Sequence, residues 1–197
     1  MSESLDELLR MKQFSKENLT ALDSYKYDHR KKEWLVSRIL AEHIIGEKNI
    51  RIVYDEYNKP SLHGSNLHIS LSHSHDLLGF IVDEAATGID IEIIKPKIFN
   101  IKHKFMSKME LLSLQEENNA EQLTVYWCAK ESLYKLYGKK ELEFKENLPI
   151  EPFKYEEKGI IKGWIKNSVM NTCFNLPYEQ LNLGKERYML TYIIAKD

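Results

Sequence analysis

The chain has 197 residues, a length that fits one domain or two small domains packed together. Hydrophobic residues make up 43% of it and charged residues 29%, a composition that excludes a mainly disordered protein. The formal net charge of -2 gives no general electrostatic attraction to nucleic acid or to an anionic membrane.

The cysteine content and the N-terminus indicate the cellular compartment. Cys128 and Cys173 are too few for a disulfide scaffold or a metal-thiolate cluster, so a reducing cytoplasm is the simplest setting. Residues 1–11 lack the basic start and apolar core of a signal peptide. No apolar run approaches the roughly 20 residues of a membrane span. We therefore expect a cytoplasmic protein without a nucleic-acid or membrane partner.

The first half of the chain is predicted to contain one helix followed by strands. Apolar residues at helical spacing predict a helix over residues 31–46, with Gly46 as its end. Short apolar runs separated by turn-forming residues then predict four strands. These runs are residues 50–54, 67–72, 78–82 and 89–93.

The second half is predicted to contain two helices and then more strands. Residues 105–117 and 123–137 show helical spacing, and Gly138 should close the second helix. Alternating β-branched and aromatic residues predict the final strands. They are residues 160–165, 169–174 and 188–194. This order predicts an α+β fold with an N-terminal α+β lobe at 1–95 and a C-terminal α+β lobe at 96–197.

Two acids lie close together in the predicted strand at residues 89–93. Side chains alternate between the faces of a strand, so Asp90 and Glu92 share one face. Two carboxylates this close raise the pKa of one of them unless a cation lies between them. The pair therefore predicts a hard, oxygen-preferring cation such as Mg²⁺.

A third acid lies on the predicted helix at residues 123–137. Glu131 and Lys135 are four residues apart, which alone is typical of an exposed ion pair worth a few tenths of a kcal/mol. If Asp90 and Glu92 lie opposite this helix, Glu131 completes a three-carboxylate metal site. Lys135 would then face a bound phosphate.

A polar strand end contains Ser72 and His73. Small hydroxyls and an imidazole suit an anion, but a serine-rich turn that caps backbone groups explains them equally well. A Ser-His-Asp hydrolase using Ser72, His73 and Asp90 is a further reading. The chain lacks a GxSxG elbow, which disfavours that hydrolase.

Basic residues occur at two further places. Arg30 and Lys31 lie at the start of the first predicted helix, where cations oppose the helix dipole, so an anionic ligand is a reasonable partner for them. Lys59 precedes Pro60 in a predicted turn.

Together these segments resemble the 4'-phosphopantetheinyl transferase superfamily, in its two-lobed monomeric class (Sfp-type). The family pattern is a Lys-Pro turn, a Ser-His strand end, Gly-x-Asp-x-Glu and Trp-x-x-Lys-Glu-Ser-x-x-Lys. The chain matches it in order with Lys59 and Pro60, Ser72 and His73, residues 88–92 and residues 127–135. The resemblance covers residues 59–135, with a weaker match at residues 33–38.

The resemblance implies a fold and an activity. The fold would have two similar α/β lobes related by pseudo-twofold symmetry, with coenzyme A in the cleft between them. The enzyme would transfer 4'-phosphopantetheine from coenzyme A to a serine of an apo acyl or peptidyl carrier protein, releasing adenosine 3',5'-bisphosphate. This is holo-acyl-carrier-protein synthase activity. A monomer is expected from the doubled architecture.

The resemblance also implies roles for the acidic residues. Asp90, Glu92 and Glu131 would hold Mg²⁺ on the pyrophosphate of coenzyme A. Glu131, directly or through a water on the metal, would remove the proton of the carrier serine. Lys135 would stabilise the pyrophosphate.

The remaining implied roles concern coenzyme A. Ser72 and His73 would contact phosphate, and Lys59 would lie near the adenine or the phosphates. Arg30 or Lys31 would contact the 3'-phosphate.

Two other functions remain open from the sequence. One is a catalytically inactive homologue that binds coenzyme A or a carrier protein, which the complete set of acids disfavours. The other is an unrelated Mg²⁺-dependent phosphohydrolase, which would not need Lys59, His73 and Lys135 to converge on one ligand. The sequence leaves the carrier open among those of fatty-acid, polyketide and peptide synthesis.

Overall fold

The computed structural model describes residues 1–117 and 119–196. Asn118 and Asp197, both inside the predicted C-terminal lobe, lie outside the described residues. The helices are α1 (Leu5–Met11), α2 (Lys16–Asp23), α3 (Asp28–Ile45), α4 (Lys102–Phe105), α5 (Lys108–Leu112), α6 (Asn119–Tyr137) and α7 (Phe144–Asn147). The strands are β1 (Ile52–Tyr54), β2 (Pro60–Leu62), β3 (His68–Ser74), β4 (Leu77–Asp83), β5 (Thr87–Ile93), β6 (Lys158–Lys166), β7 (Asn171–Leu183) and β8 (Glu186–Ile194). The predicted α+β fold class is confirmed.

The two long helices end where their glycines predict. Gly46 follows α3 with a φ of 78°, and Gly138 follows α6 with a φ of 74°. Both lie in the left-handed region, which glycine adopts without a Cβ clash and which closes a helix. The long helices are therefore the elements that the sequence predicts best.

The prediction of one helix over residues 105–117 is wrong. The structure has two short helices, α4 and α5, separated by Met106 in an extended conformation. Ser107 caps α5, since its side chain accepts a hydrogen bond from the N–H of Glu110, whose carboxylate in turn accepts from the N–H of Ser107. This capping box begins a new helix inside the apolar pattern.

The strands form one large sheet and two hairpins. The four-stranded antiparallel sheet has the order β5-β8-β7-β6, while β1 pairs with β2 and β3 pairs with β4. Asp90 of β5 lies opposite Thr191 of β8. The acidic strand of the predicted N-terminal lobe therefore pairs with a strand at the C-terminal end of the chain. The boundary after residue 95 and the pseudo-twofold symmetry stay predictions.

Helix α6 covers the inner face of the large sheet and supplies much of the core. A Cβ on Gly88 of β5 would lie 2.1 Å from the carbonyl oxygen of Ser132 on α6. The Ser132 hydroxyl is 2.7 Å from the hydroxyl of Thr191 on β8. Because glycine has no Cβ, the backbone of β5 at Gly88 can lie against the backbone of α6 at Ser132, which places α6 directly over β5.

The N-terminal helices α1 and α2 were not predicted. Their apolar residues Leu8 and Leu22 pack in a small cluster with Trp34 and Leu35 of α3. None of the helices in the described ranges is both long enough and apolar enough to cross a membrane.

The contact between α6 and β5 predicts a stability difference between two glycine variants. Gly88→Ala should lower the free energy of unfolding by about 3 kcal/mol, because the new methyl group meets helix backbone that cannot rotate away. Gly79→Ala is the control, since the nearest atoms to its Cβ would be side-chain atoms of Ile89 and Ile91, the closest at 3.1 Å. We expect it to cost less than about 1 kcal/mol in urea unfolding. Equal losses would contradict the tight helix crossing.

Candidate active site

Three serine hydroxyls connect β3 to β5. Every second residue of β3, from Ser70 to Ser74, is a buried serine whose hydroxyl accepts a hydrogen bond from a backbone N–H of β5. The pairs are Ser70 with Ile89 at 3.2 Å, Ser72 with Ile91 at 3.3 Å and Ser74 with Ile93 at 3.0 Å. We call this arrangement the serine ladder. The hydroxyls of the ladder accept the hydrogen bonds of buried β5 N–H groups, a role that the carbonyls of a neighbouring strand have in an ordinary sheet.

Two of these hydroxyls also bind the acids of β5. Ser72 donates to Oδ1 of Asp90 at 2.7 Å, and Ser74 donates to Oε2 of Glu92 at 2.9 Å. The indole N–H of Trp127, on α6, donates to Oε1 of Glu92 at 3.3 Å. Both carboxylates are thus oriented by neutral donors from neighbouring elements.

Lys135 of α6 provides a positive charge for this group. Its ammonium donates to Oδ1 of Asp90 at 2.7 Å and to the carbonyl of Ile89 at 3.0 Å. Asp90 is 3% exposed, and its Oδ2 has no hydrogen-bond partner among the described residues. A buried carboxylate oxygen without a partner is costly, and it is the kind of atom that a cation would bind.

Burial and neighbouring acids raise the pKa values of Glu131 and Glu92. Burial, followed by the charges of Asp90 and Glu92, raises the pKa of Glu131 to about 7, although Lys135 acts in the opposite direction. Burial and Asp90 also raise the pKa of Glu92. One lysine therefore does not offset all three acids, and a divalent cation fits the remaining negative charge.

A completed metal-binding group is not visible in the described ranges. No three His, Cys, Asp or Glu side chains there are arranged to hold a metal ion. Two observations nevertheless favour Mg²⁺ here. One is the unpartnered Oδ2 atom of Asp90, and the other is the excess negative charge of Asp90, Glu92 and Glu131.

His73 lies on β3 between two rungs of the serine ladder, so it points to the other face. Its Nε2 is 3.0 Å from Nη1 of Arg30, and its Nδ1 is 3.3 Å from Oε1 of Glu33. Arg30 also donates to Oε2 of Glu33 at 2.8 Å. Burial, together with the charges of Arg30 and Lys135, lowers the pKa of His73, while Glu33 opposes this. The guanidinium of Arg30 can only donate, so its contact favours a neutral ring whose Nε2 accepts.

Lys59 contacts the C-terminal end of α6. Its ammonium donates to the carbonyl of Leu136 at 2.8 Å, and its side chain lies against Gly138. A cation at this end of a helix is favourable because the last carbonyls carry partial negative charge. Burial lowers the pKa of Lys59.

Two adjoining clefts collect the predicted coenzyme ligands. The first has a volume of about 280 Å³ and is lined by Lys59, His73 and Lys135, among others. The second has a volume of about 360 Å³ and is lined in part by Arg30 and Ser72. His73 borders both clefts. Among the described residues, Arg30 borders the second cleft and Lys31 does not.

The sequence assigned no role to Ser74, Trp127 or Glu33. Ser74 binds Glu92, Trp127 binds the same carboxylate, and Glu33 bridges Arg30 and His73. One signal was present: the serines of β3 recur every second residue, with the same period as the two acids of β5. The contacts of Trp127 with Glu92 and of Glu33 with His73 had no comparable signal, because each joins elements that are distant in the sequence. The contact of Glu33 with Arg30 follows from helical i,i+3 spacing.

Part of the chain matches a known family. Residues 86–179 match the model of the 4'-phosphopantetheinyl transferase superfamily. This segment belongs to that superfamily. It contains the acids of β5, all of α6 and most of the large sheet. The resemblance inferred from the motifs is therefore confirmed.

Relatives of the Sfp type are among the matches. The chain is 34% identical over 111 residues to the 4'-phosphopantetheinyl transferase ffp of Bacillus subtilis, covering 53% of this chain and 49% of that protein. It is 32% identical over 133 residues to the 4'-phosphopantetheinyl transferase psf-1 of Bacillus pumilus, covering 62% and 57%. It is 33% identical over 107 residues to the 4'-phosphopantetheinyl transferase Sfp of Bacillus subtilis (strain 168), covering 52% and 48%. The chain thus spans about half the length of the curated relatives it matches.

The raised pKa of Glu131 predicts how stability depends on pH. The folded protein holds the Glu131 proton up to about pH 7, whereas the unfolded chain releases it near the usual value of 4.5. Wild-type stability therefore falls relative to Glu131→Gln as the pH rises through this window. With divalent cations chelated, Glu131→Gln should be more stable than wild type at about pH 8 by on the order of 2 kcal/mol, and equally stable at about pH 4.

Urea unfolding at the two pH values measures this difference. Glu84→Gln is the matched control, because Glu84 is an exposed acid in the turn before β5. A gain at pH 8 in both variants, or in neither, would show that Glu131 does not carry a raised pKa.

Proposed function

We propose that this protein transfers 4'-phosphopantetheine from coenzyme A to a serine hydroxyl of an apo acyl or peptidyl carrier protein, with Mg²⁺, releasing adenosine 3',5'-bisphosphate. The observation that carries the proposal is the grouping of Asp90, Glu92, Glu131 and Lys135 beside the two clefts. The family match and the names of the relatives support it.

The metal ligands in this proposal are Asp90, Glu92 and Glu131. When bound, Mg²⁺ would neutralise charge on the diphosphate of coenzyme A. The free Oδ2 of Asp90 offers a buried anionic ligand. Carboxylate oxygens are the ligands that Mg²⁺ prefers.

Lys135 would act on the leaving group. Its ammonium contacts Asp90 and also borders the first cleft, so it lies between the acids and the space for the coenzyme. Attack of the serine oxygen on the phosphorus that carries pantetheine would break the anhydride bond of the diphosphate and leave negative charge on the 5'-phosphate of the departing adenosine 3',5'-bisphosphate. A fixed ammonium stabilises that charge more than mobile water does, because it needs no reorientation during the reaction.

Glu131 would accept the proton of the carrier serine. Directly or through a water, this carboxylate would take the proton as the serine oxygen attacks phosphorus. Its position on α6, one turn before Lys135, places the base and the leaving-group cation on one helical face.

The coenzyme would lie along the two clefts. Arg30 would contact the 3'-phosphate through its guanidinium, with Lys31 as the alternative, and His73 would contact phosphate by exchanging its present contact with Glu33. Lys59 would face the adenine or the phosphates from the end of α6. Ser72 would contribute a phosphate contact, in competition with its hydrogen bond to Asp90. A monomer acting in the cytoplasm remains our expectation.

A direct assay tests the transfer. Purified protein incubated with Mg²⁺ and coenzyme A should add one phosphopantetheine to an apo acyl or peptidyl carrier, observed as a mass increase of the intact carrier. A carrier with its acceptor serine changed to alanine is the control and should stay unmodified. Failure to modify any of a panel of fatty-acid, polyketide and peptide-synthetase carriers would overturn the proposal. Release of inorganic phosphate instead would favour the phosphohydrolase.

Removal of a proposed metal ligand should abolish transfer. Asp90→Ala and Glu131→Ala should each lower the rate by roughly a hundredfold or more, because each removes a carboxylate that would hold the cation on the reacting diphosphate. Circular dichroism should show that the fold is largely kept. Glu84→Ala, which removes an exposed acid outside the site, should retain full activity. Full activity in both site variants would refute the three-carboxylate site.

A further inference from the structure

We propose that Ser74 is a positioning residue that fixes the carboxylate of Glu92 for a divalent metal ion. This inference rests on the proposed function, because it concerns the same metal site. Ser74 would not touch the metal or the substrate. It would act through Glu92.

The first step is that the Ser74 hydroxyl has a fixed direction. A hydroxyl has one proton to donate and two lone pairs that accept. The N–H of Ile93 donates to Ser74 Oγ at 3.0 Å, and the hydroxyl proton goes to Oε2 of Glu92 at 2.9 Å. Ser74 is 8% exposed, so little solvent competes for either bond. The backbone of β5 therefore sets the direction in which Ser74 donates.

The second step is that Glu92 is held from both sides. Its Oε1 accepts from the indole N–H of Trp127, whose ring packs against Phe105 and Phe144 at centroid distances of 5.1 Å and 5.5 Å. The two donors come from β3 and α6, so the carboxylate cannot rotate without losing one of them. Each carboxylate oxygen has a further lone pair, which stays available to a cation.

The third step is that Ser70, in the same ladder, provides a control for Ser74. Ser70 and Ser74 are both buried, and both accept from an amide of β5. Position 88, the residue that corresponds to Glu92 at the Ser70 rung, is a glycine. Ser70 thus has the strand-joining hydrogen bond without the carboxylate contact. Removal of the Ser70 hydroxyl therefore measures the effect of losing the hydrogen bond to β5 without any change at a carboxylate.

Hydrogen bonds that orient a metal ligand have a measurable effect on metal affinity. Loss of such a partner typically weakens metal binding by roughly tenfold to a hundredfold, because the ligand must then be ordered by the metal itself. A purely structural rung would change stability and leave the affinity of the folded protein unaltered. The two roles therefore differ in what a binding measurement reports.

The experiment is a titration of the protein with Mn²⁺ alone, followed by the electron paramagnetic resonance signal of free Mn²⁺. Ser74→Ala should bind Mn²⁺ roughly tenfold more weakly than wild type, and Ser70→Ala should bind it as wild type does. Urea unfolding should show a loss of stability in both variants, since each loses the hydrogen bond from an N–H of β5, and a larger loss in Ser74→Ala, which also loses the bond to Glu92.

A second variant keeps the inference testable if a serine variant folds poorly. Trp127→Phe retains the packed ring and removes the other donor to Glu92, so it should also weaken Mn²⁺ binding. Equal Mn²⁺ affinity in wild type, Ser74→Ala and Trp127→Phe would overturn this inference and leave the proposed function standing. Absence of Mn²⁺ binding by the wild type would overturn the metal site itself, and this inference with it.

Discussion

The serine ladder between β3 and β5 is the contact on which the site depends. Buried backbone N–H groups need acceptors, and at this edge of β5 the acceptors are the hydroxyls of Ser70, Ser72 and Ser74. Each hydroxyl also has one proton to donate. Ser72 donates its proton to Asp90, and Ser74 donates its proton to Glu92. One set of side chains thus joins the β3–β4 hairpin to the large sheet and orients the acids.

Strand alternation extends this effect to the cleft. His73 lies between two ladder serines, so its ring faces away from Asp90 and Glu92 and towards Arg30 and Glu33. A single strand therefore serves both parts of the site. One of its faces holds the acids, and the other borders the space that we assign to coenzyme A.

Helix α6 is held to the rest of the molecule at several points along its length. The buried ammonium of Lys130 is 2.8 Å from the carboxylate of Glu110 on α5. Ser132 meets Thr191 of β8 in the middle, and Lys59 binds the C-terminal end. These contacts restrict translation and rotation of the helix. Functional groups on a helix fixed in this way keep their geometry better than groups on a loop.

Much of the site could be predicted from local patterns. Alternation along β5 predicts that Asp90 and Glu92 share a face, and helical spacing predicts the same for Glu131 and Lys135. The structure brings Lys135 to Asp90, which connects the two patterns. The order of the motifs then indicated the family without any knowledge of the packing.

The rest could not be predicted because it depends on long-range register. The sequence shows that serines recur at every second residue of β3. It does not show which strand they will contact, so the serine ladder could not be predicted. The break between α4 and α5 was missed for a different reason. The apolar pattern continues through it, and the capping box at Ser107 overrides that pattern. The contact of Lys59 with Leu136 joins residues far apart in the sequence.

The position of Lys135 has a consequence for how the protein is assembled. Small zinc-dependent domains cannot fold until the ion arrives, because their ligands repel one another or lack a core. Here the ammonium of Lys135 already neutralises part of the acidic group, and α6 is anchored by contacts that need no ion. These contacts hold the acids in place without an ion, so if the protein binds Mg²⁺ as we propose, a shortage of magnesium would lower the occupancy of the site without lowering the amount of folded protein.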